Sequence, residues 1–355
     1  MDFFWEYPQA WQARLGPVEQ VNDVAILVPN EGTFPTAARP LKKQDGYMIE
    51  IDRWGRVIRR QEGAYFSETL EVPFKDHQSV DRLHFDPPDL ELRYLQVETE
   101  SIMDHPLVEG EAEMPAVTAA IEHVRKAGCL FGKIGGPYLR STYLRGETQF
   151  LMDLVSDQGL ARAIVGRITD HLIAIGREEI RRWHLRETGV WIFDDMAYNT
   201  GPMFSPAVFE AVFLPAYQRM VGAFKAAGAR YVFFHSDGDI RRFLDLLVAA
   251  GIDGINPIEP RAGMHLPELR RQYPRLILTG GMDNTGSLEK GPVERIRAEA
   301  CQIIEVAQDG GVIIGSGSIG PEVSLENFCA YVEACDTYGN YEARPGHPER
   351  ARIGK

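Results

Sequence analysis

The chain has 355 residues, 44% hydrophobic and 25% charged, the balance of a protein that buries a large core rather than of a disordered one. Its formal net charge of -13, with no stripe of Lys and Arg, excludes nucleic acid and anionic membrane as natural partners, because both are bound through clustered cations. The longest apolar runs, Tyr231 to Phe234 and Gly311 to Ile314, are far too short to span a bilayer.

Met1 to Gln12 carries Asp2 and Glu6 among aromatics and lacks the basic start, apolar stretch and cleavage site of a secretory signal, so a cytoplasmic protein is expected. Cys129, Cys301, Cys329 and Cys335 form no CxxC pair, which fits reduced thiols. Strand-like pieces then alternate at Val24 to Val28, Tyr47 to Ile51, Val57 to Arg60 and Ala64 to Phe66, with a hairpin turn at Asp52-Arg53-Trp54-Gly55-Arg56. Tandem prolines make Asp86-Pro87-Pro88-Asp89 a surface loop.

From Met114 onward the pattern becomes regular. Buried strand-like runs at Leu130 to Ile134, Val190 to Phe193, Tyr231 to Phe234, Gly254 to Ile258, Leu276 to Leu278 and Val312 to Ile314 alternate with helical stretches. The helices are expected at Gln149 to Ser156, Leu160 to Trp183, Pro206 to Ala227, Ile240 to Ala250, Leu266 to Tyr273 and Pro292 to Ala307. Ser205 and Asp239 are placed as helix caps, and Gly228 and Gly251 as helix terminators. This βα alternation predicts an α/β fold, a (β/α)8 TIM barrel with an elaborated N-terminal region. Residues 1–355 form one domain, with 1–110 as N-terminal extension and first barrel unit and 342–355 as a C-terminal tail.

A barrel's chemistry sits just past the carboxyl ends of its strands, and here those positions are polar. Asp194, Asp195 and Tyr198 follow the Val190 strand, and His235, Ser236 and Asp237 follow the Tyr231 strand. Glu259 follows the Gly254 strand, Asp283 and Asn284 the Leu276 strand, and Ser316 and Ser318 the Val312 strand. A single acidic residue there serves as well for a helix cap, but four successive strands carry one. Neighbouring residues leaving a strand face opposite sides, so Asp195 points away from the pocket if Asp194 points in. His235 and Asp237, with Glu259 on the next strand, could hold Zn2+ or Fe2+ with positions open for substrate; alternatively they bond one another and nearby backbone. Gly135-Gly136-Pro137-Tyr138 reads either as a close ligand approach or as a strand-exit turn.

Arg145-Gly146 with Phe150-Leu151-Met152-Asp153-Leu154, Asp194-Asp195, Ser205-Pro206 with Phe213-Leu214-Pro215, and Phe233-Phe234-His235-Ser236-Asp237-Gly238 carry a resemblance. Gly251-Ile252-Asp253 with Asn256-Pro257-Ile258-Glu259-Pro260, Gly280-Gly281-Met282-Asp283 and Leu325-Glu326-Asn327 extend it. In this order the pieces are similar to the uroporphyrinogen decarboxylase-like superfamily, which includes uroporphyrinogen decarboxylases and corrinoid-linked methyltransferases. The decarboxylases carry an arginine-rich N-terminal segment that grips an acidic tetrapyrrole; the matching stretch here, Pro29-Asn30-Glu31-Gly32-Thr33-Phe34-Pro35, has no arginine. The methyltransferases carry His-x-Cys and a second Cys on zinc. Here His235 stays, Asp237 stands at the first Cys position and Gly317 falls near the second.

The resemblance therefore implies a methyltransferase whose harder donor set suits O-methyl or N-methyl compounds, or a non-thiol acceptor. In that reading His235, Asp237 and Asp283 are catalytic, and Asp194 and Tyr198 orient substrate or move a proton. Asn30, Tyr138, Asp195, Asn284, Ser316 and Ser318 line the substrate, and His235, Asp237 and Glu259 hold Zn2+. Cobalamin belongs to a separate corrinoid protein, since no Asp-x-His-x-x-Gly segment occurs in this chain. The alternatives are a tetrapyrrole carboxy-lyase that uses Asp194 or Asp237 without metal, and a non-catalytic binding barrel. A homodimer is the default expectation for such an enzyme.

Overall fold

A computed structural model of the chain describes residues 7–339 except 62, 63, 65, 103, 104 and 111, so the expected tail at 342–355 lies outside the described residues. Apolar runs become parallel strands: β1 (Val24–Val28), β2 (Cys129–Gly135), β3 (Gly189–Phe193), β4 (Tyr231–His235), β5 (Gly254–Ile258), β6 (Ile277–Gly281) and β7 (Val312–Gly315). Each pairs in parallel with the next, in chain order, within one curled nine-stranded sheet. Where an eightfold barrel has one more parallel strand, the outer neighbour of β1 is the short antiparallel pair Glu98–Thr99 and His105–Pro106. Both pieces are short and polar and the second ends in proline, so they do not continue a buried parallel ladder.

Strand alternation sorts side chains onto two faces. Leu130, Ile134, Val190, Ile192, Val232 and Phe234 belong to the large core shared with the helices. Phe131, Trp191 and Phe233 form a separate cluster on the inner face, with Trp191 and Phe233 stacked at 4.6 Å and 8°. The inner face is thus filled by rings below the level at which the strands end.

Helices follow the strands as the pattern requires. The longest, Gln158–Arg182, is capped by Asp157, whose carboxylate accepts from the Leu160 N–H. Ser205 caps as expected, its Oγ accepting from Val208 N–H at 3.3 Å, but the stretch that begins there is not one regular helix. Phe209–Phe213 forms a π-helical turn before Leu214–Ala226. Pro215 has no N–H to return to the preceding turn, and the Leu214 N–H reaches back five residues to Phe209 O. No helix among the described residues is long and apolar enough to cross a membrane.

Between β1 and β2 the chain builds a four-stranded antiparallel sheet from Arg39–Gln44, Tyr47–Ile51, Val57–Gln61 and Ser67–Glu71. The turn at Asp52 is the expected hairpin, with Asp52 Oδ1 accepting from the N–H groups of Trp54 and Arg56 at 2.9 Å each. It docks this sheet on the rest of the fold. Trp54 is buried edge-on against Tyr143 of the helix Pro137–Arg145, and the Arg56 guanidinium lies 4.3 Å from the Tyr143 ring. The strand expected at Ala64 to Phe66 instead begins at Ser67; Ala64 and Phe66 lie outside it, and Tyr65 is outside the described residues.

Candidate active site

His235 ends β4 in register with Phe193 at the end of β3 and Asn256 in β5, so the three side chains share the inner face at its upper edge. Phe193 stacks on the imidazole with centroids 4.1 Å apart and planes 15° from parallel. On the other flank, Asn256 Oδ1 lies 2.5 Å from His235 Nδ1. An amide oxygen only accepts, so Nδ1 carries the proton, and in the neutral ring the Nε2 lone pair is aimed away from Asn256.

That aim is toward carboxylates. Nε2 stands 3.7 Å from Asp195 Oδ1 and 3.8 Å from Asp237 Oδ1, and one ligand atom of each residue lies within 4.8 Å of the others. These separations are longer than a hydrogen bond and near the ~3.4 Å that two ligands of a tetrahedral zinc with bonds of ~2.1 Å keep between them. Asp195 Oδ1 also accepts from the Asp237 N–H at 3.0 Å, which braces the two acidic loops against each other. The carboxylate side chains are 47% and 64% exposed over an imidazole only 15% exposed. One imidazole and two carboxylates form a donor set that fits Zn2+ or Fe2+, with the open side toward solvent.

Glu259 neighbours this group and is not among the three residues whose ligand atoms converge. Its Oε2 accepts from the Gly238 N–H at 2.6 Å and fixes the loop that carries Asp237. Gly238 has a φ of +85°, and a Cβ there would lie 2.8 Å from Ala197 O and Tyr198 O, so glycine is required for the loop to pass under the Ala197–Tyr198 hairpin. Asp195 takes the place that spacing assigned to Glu259. Tyr198 is 59% exposed at that hairpin, and its carbonyl accepts from the Asp239 N–H at 2.9 Å.

The two residues leaving β3 do face opposite sides, in the reverse sense to the one expected. Asp194 is fully buried. Its carboxylate accepts from Tyr138 N–H at 2.9 Å, Leu139 N–H at 2.6 Å and the Tyr217 hydroxyl, capping the helix Pro137–Arg145 from another strand. Burial pushes its pKa up to about 7 against the pull of those donors. A Cβ on Gly136 would lie 2.1 Å from the Asp194 Cβ, so Gly136 admits the carboxylate and not a ligand. Tyr138, expected to meet substrate, is buried, and its hydroxyl donates to Met203 Sδ at 3.0 Å.

The other expected residues lie in two further places. Asp283 Oδ1 accepts from Gly286 N–H at 3.0 Å and caps the π-helical turn Asn284–Leu288. Asn284 Nδ2 donates to Ser318 O, and Ser316 Oγ donates to Gly317 O at 2.9 Å. These four residues therefore gather at the ends of β6 and β7. Asn30 is buried beyond β1, with Nδ2 donating to Gln96 Oε1 at 2.8 Å and Oδ1 accepting from Gly32 N–H at 3.2 Å.

Four residues of the mouth escaped sequence reasoning: Phe193, Asn256, Lys133 and Glu100. The Lys133 ammonium pairs with Glu100 and lies 4.2 Å from the Phe193 ring centroid. The available signal was a polar residue interrupting an apolar strand, Lys133 in β2 and Asn256 in β5.

Comparison with known proteins gives a likeness of fold and a family. A solved structure, a methyltransferase from Methanosarcina mazei, superimposes with a TM-score of 0.56 at 19% identity over 81% of this chain and 76% of that one, a likeness of fold. No curated protein sequence matches. The family model described as Uroporphyrinogen decarboxylase (URO-D) matches residues 84–338, which spans β2 to β7 and every side chain of the His235 group. By that match the chain belongs to the uroporphyrinogen decarboxylase (URO-D) family.

Proposed function

We propose that this protein is a methyltransferase that moves a methyl group between a small O-methyl or N-methyl compound, or a non-thiol acceptor, and a corrinoid carried by a separate cytoplasmic protein. The observation that carries the reading is the convergence of His235 Nε2 with the Asp195 and Asp237 carboxylates, under an imidazole whose other nitrogen is held by Asn256. Metal-binding histidines are oriented in this way through their second nitrogen. Family membership and the fold shared with the Methanosarcina mazei methyltransferase add to it.

Asp195, His235 and Asp237 would hold Zn2+, which when bound supplies Lewis acidity at a substrate heteroatom. The donor set contains no thiolate and so favours oxygen or nitrogen over sulfur. Asn256 keeps the proton on Nδ1, Phe193 covers one face of the imidazole, and Glu259 holds the Asp237 loop. The reading takes the curled sheet as a barrel whose mouth is open to the corrinoid protein.

Zinc content and methyl transfer from methoxylated and methylated-amine compounds to cob(I)alamin test it together. Stoichiometric zinc that His235→Ala removes, with methylcobalamin formed only by the zinc-loaded protein, is the expected result. A metal-free chain that decarboxylates a porphyrinogen would overturn it and favour the carboxy-lyase.

A further inference from the structure

Lys133 follows Phe131 by two residues on β2 and so shares its inner face, just above the rings of Phe131, Trp191 and Phe233. We propose that Lys133 is the anion-recognition residue of the mouth and that the compounds handled there are small monocarboxylates.

The ammonium has three donors, and its ion pair with Glu100 uses one of them. The two side chains are only 16% and 11% exposed. A Lys–Glu pair sheltered to that degree gains little over apolar packing, because desolvation of both charges offsets their attraction. Apolar packing was available on this face, as Phe131 demonstrates, so the pair is better explained by what it can bind. Lys133 Nζ lies 4.2 Å from the Phe193 ring centroid, and the same ring stacks on His235. One aromatic ring therefore separates a cation from the Asp195, His235 and Asp237 group. That span suits a molecule with a carboxylate at one end and the methyl-bearing heteroatom at the other. Asp195, Asp237, Glu259 and Glu100 make the rest of the mouth acidic, which repels dianions and polyanions and leaves a monoanion as the species one ammonium can hold.

The inference rests on the methyl-transfer reading for the position of the heteroatom, and its test is separable from that reading. Benzoate and its neutral isostere benzamide are titrated into the full-length protein by calorimetry. Benzoate is expected to bind at least about tenfold more tightly, as a charge-assisted contact requires. Lys133→Met and the charge-neutral pair Lys133→Met with Glu100→Gln are expected to abolish that preference; the pair keeps the test valid if the single variant does not fold. Equal binding of the two probes, no binding of either, or a preference that survives in the double variant would overturn the proposal. Zinc uptake by the unaltered chain, measured alongside, reports on the metal alone. Carboxylate preference without zinc sinks the metal reading and keeps this one, and zinc without carboxylate preference does the reverse.

Discussion

Asn256 and His235 are joined across two strands by a contact of 2.5 Å between the amide oxygen and Nδ1, and this contact decides which imidazole nitrogen meets the carboxylates. The prediction is that Asn256→Ala weakens zinc binding by about 10- to 100-fold, the usual loss when the partner of a ligating histidine is removed. Asn256→Asp, which retains an accepting oxygen, should restore most of it. Competition titration with a zinc chelator measures both, and an unaltered affinity in Asn256→Ala would show that the contact is incidental.

Asp195 stands where spacing had suggested Glu259, and that exchange of one carboxylate for another can be tested by stoichiometry. Asp195→Ala should lose bound zinc, because it removes one of three donors. Glu259→Gln keeps an oxygen for the Gly238 N–H and should keep its zinc. The opposite pattern, zinc lost with Glu259 and kept without Asp195, would return the site to His235, Asp237 and Glu259.

That exchange illustrates what could be read in advance. The strands β2 to β7 and most helices were legible because their apolar runs have clear length and period, and the Asp52 turn because its residues specify it. Which of Asp194 and Asp195 enters the mouth was not legible, since a register difference of one residue reverses every side chain on a strand. The strands Arg39–Gln44 and Ser67–Glu71 escaped because both are exposed along their length and show no alternation. The bond from the Gly238 N–H to Glu259 was not legible either, because spacing locates a carboxylate without showing which backbone N–H it engages.

Glu179 offers a prediction about pH. It is fully buried against β2, neither carboxylate oxygen has a hydrogen-bond partner among the described residues, and burial raises its pKa well above the ordinary 4.5. The folded chain therefore holds a proton that the unfolded chain releases, so its contribution is complete below about pH 4.5 and declines as pH rises toward the folded value. Glu179→Leu removes this liability and should stabilise the protein by about 1–3 kcal/mol at pH 8, with the gain shrinking toward pH 5. Thermal unfolding at both pH values measures it, and a variant less stable than the parent at pH 8 would show that the carboxyl has a partner in solution.

Asp194 separates a structural carboxylate from a chemical one. Three donors converge on it, from Tyr138, Leu139 and Tyr217, and an asparagine in its place must turn its NH2 against one of them. Asp194→Asn should therefore destabilise the fold by about 1–3 kcal/mol, the penalty for a buried donor left unpaired. The sign of the pH effect follows from a folded pKa of about 7 against an ordinary 3.8: the native state gains from the proton at low pH and loses that gain as pH climbs through this window. Asparagine does not titrate, so the gap between parent and variant should be wider at pH 5 than at pH 8. Zinc binding should survive, since Asp194 points into the core while the His235 group opens to solvent. If Asp194→Asn instead folds with full stability and abolishes turnover, then the buried carboxylate acts on substrate, and the division of labour drawn between Asp194 and Asp195 is wrong.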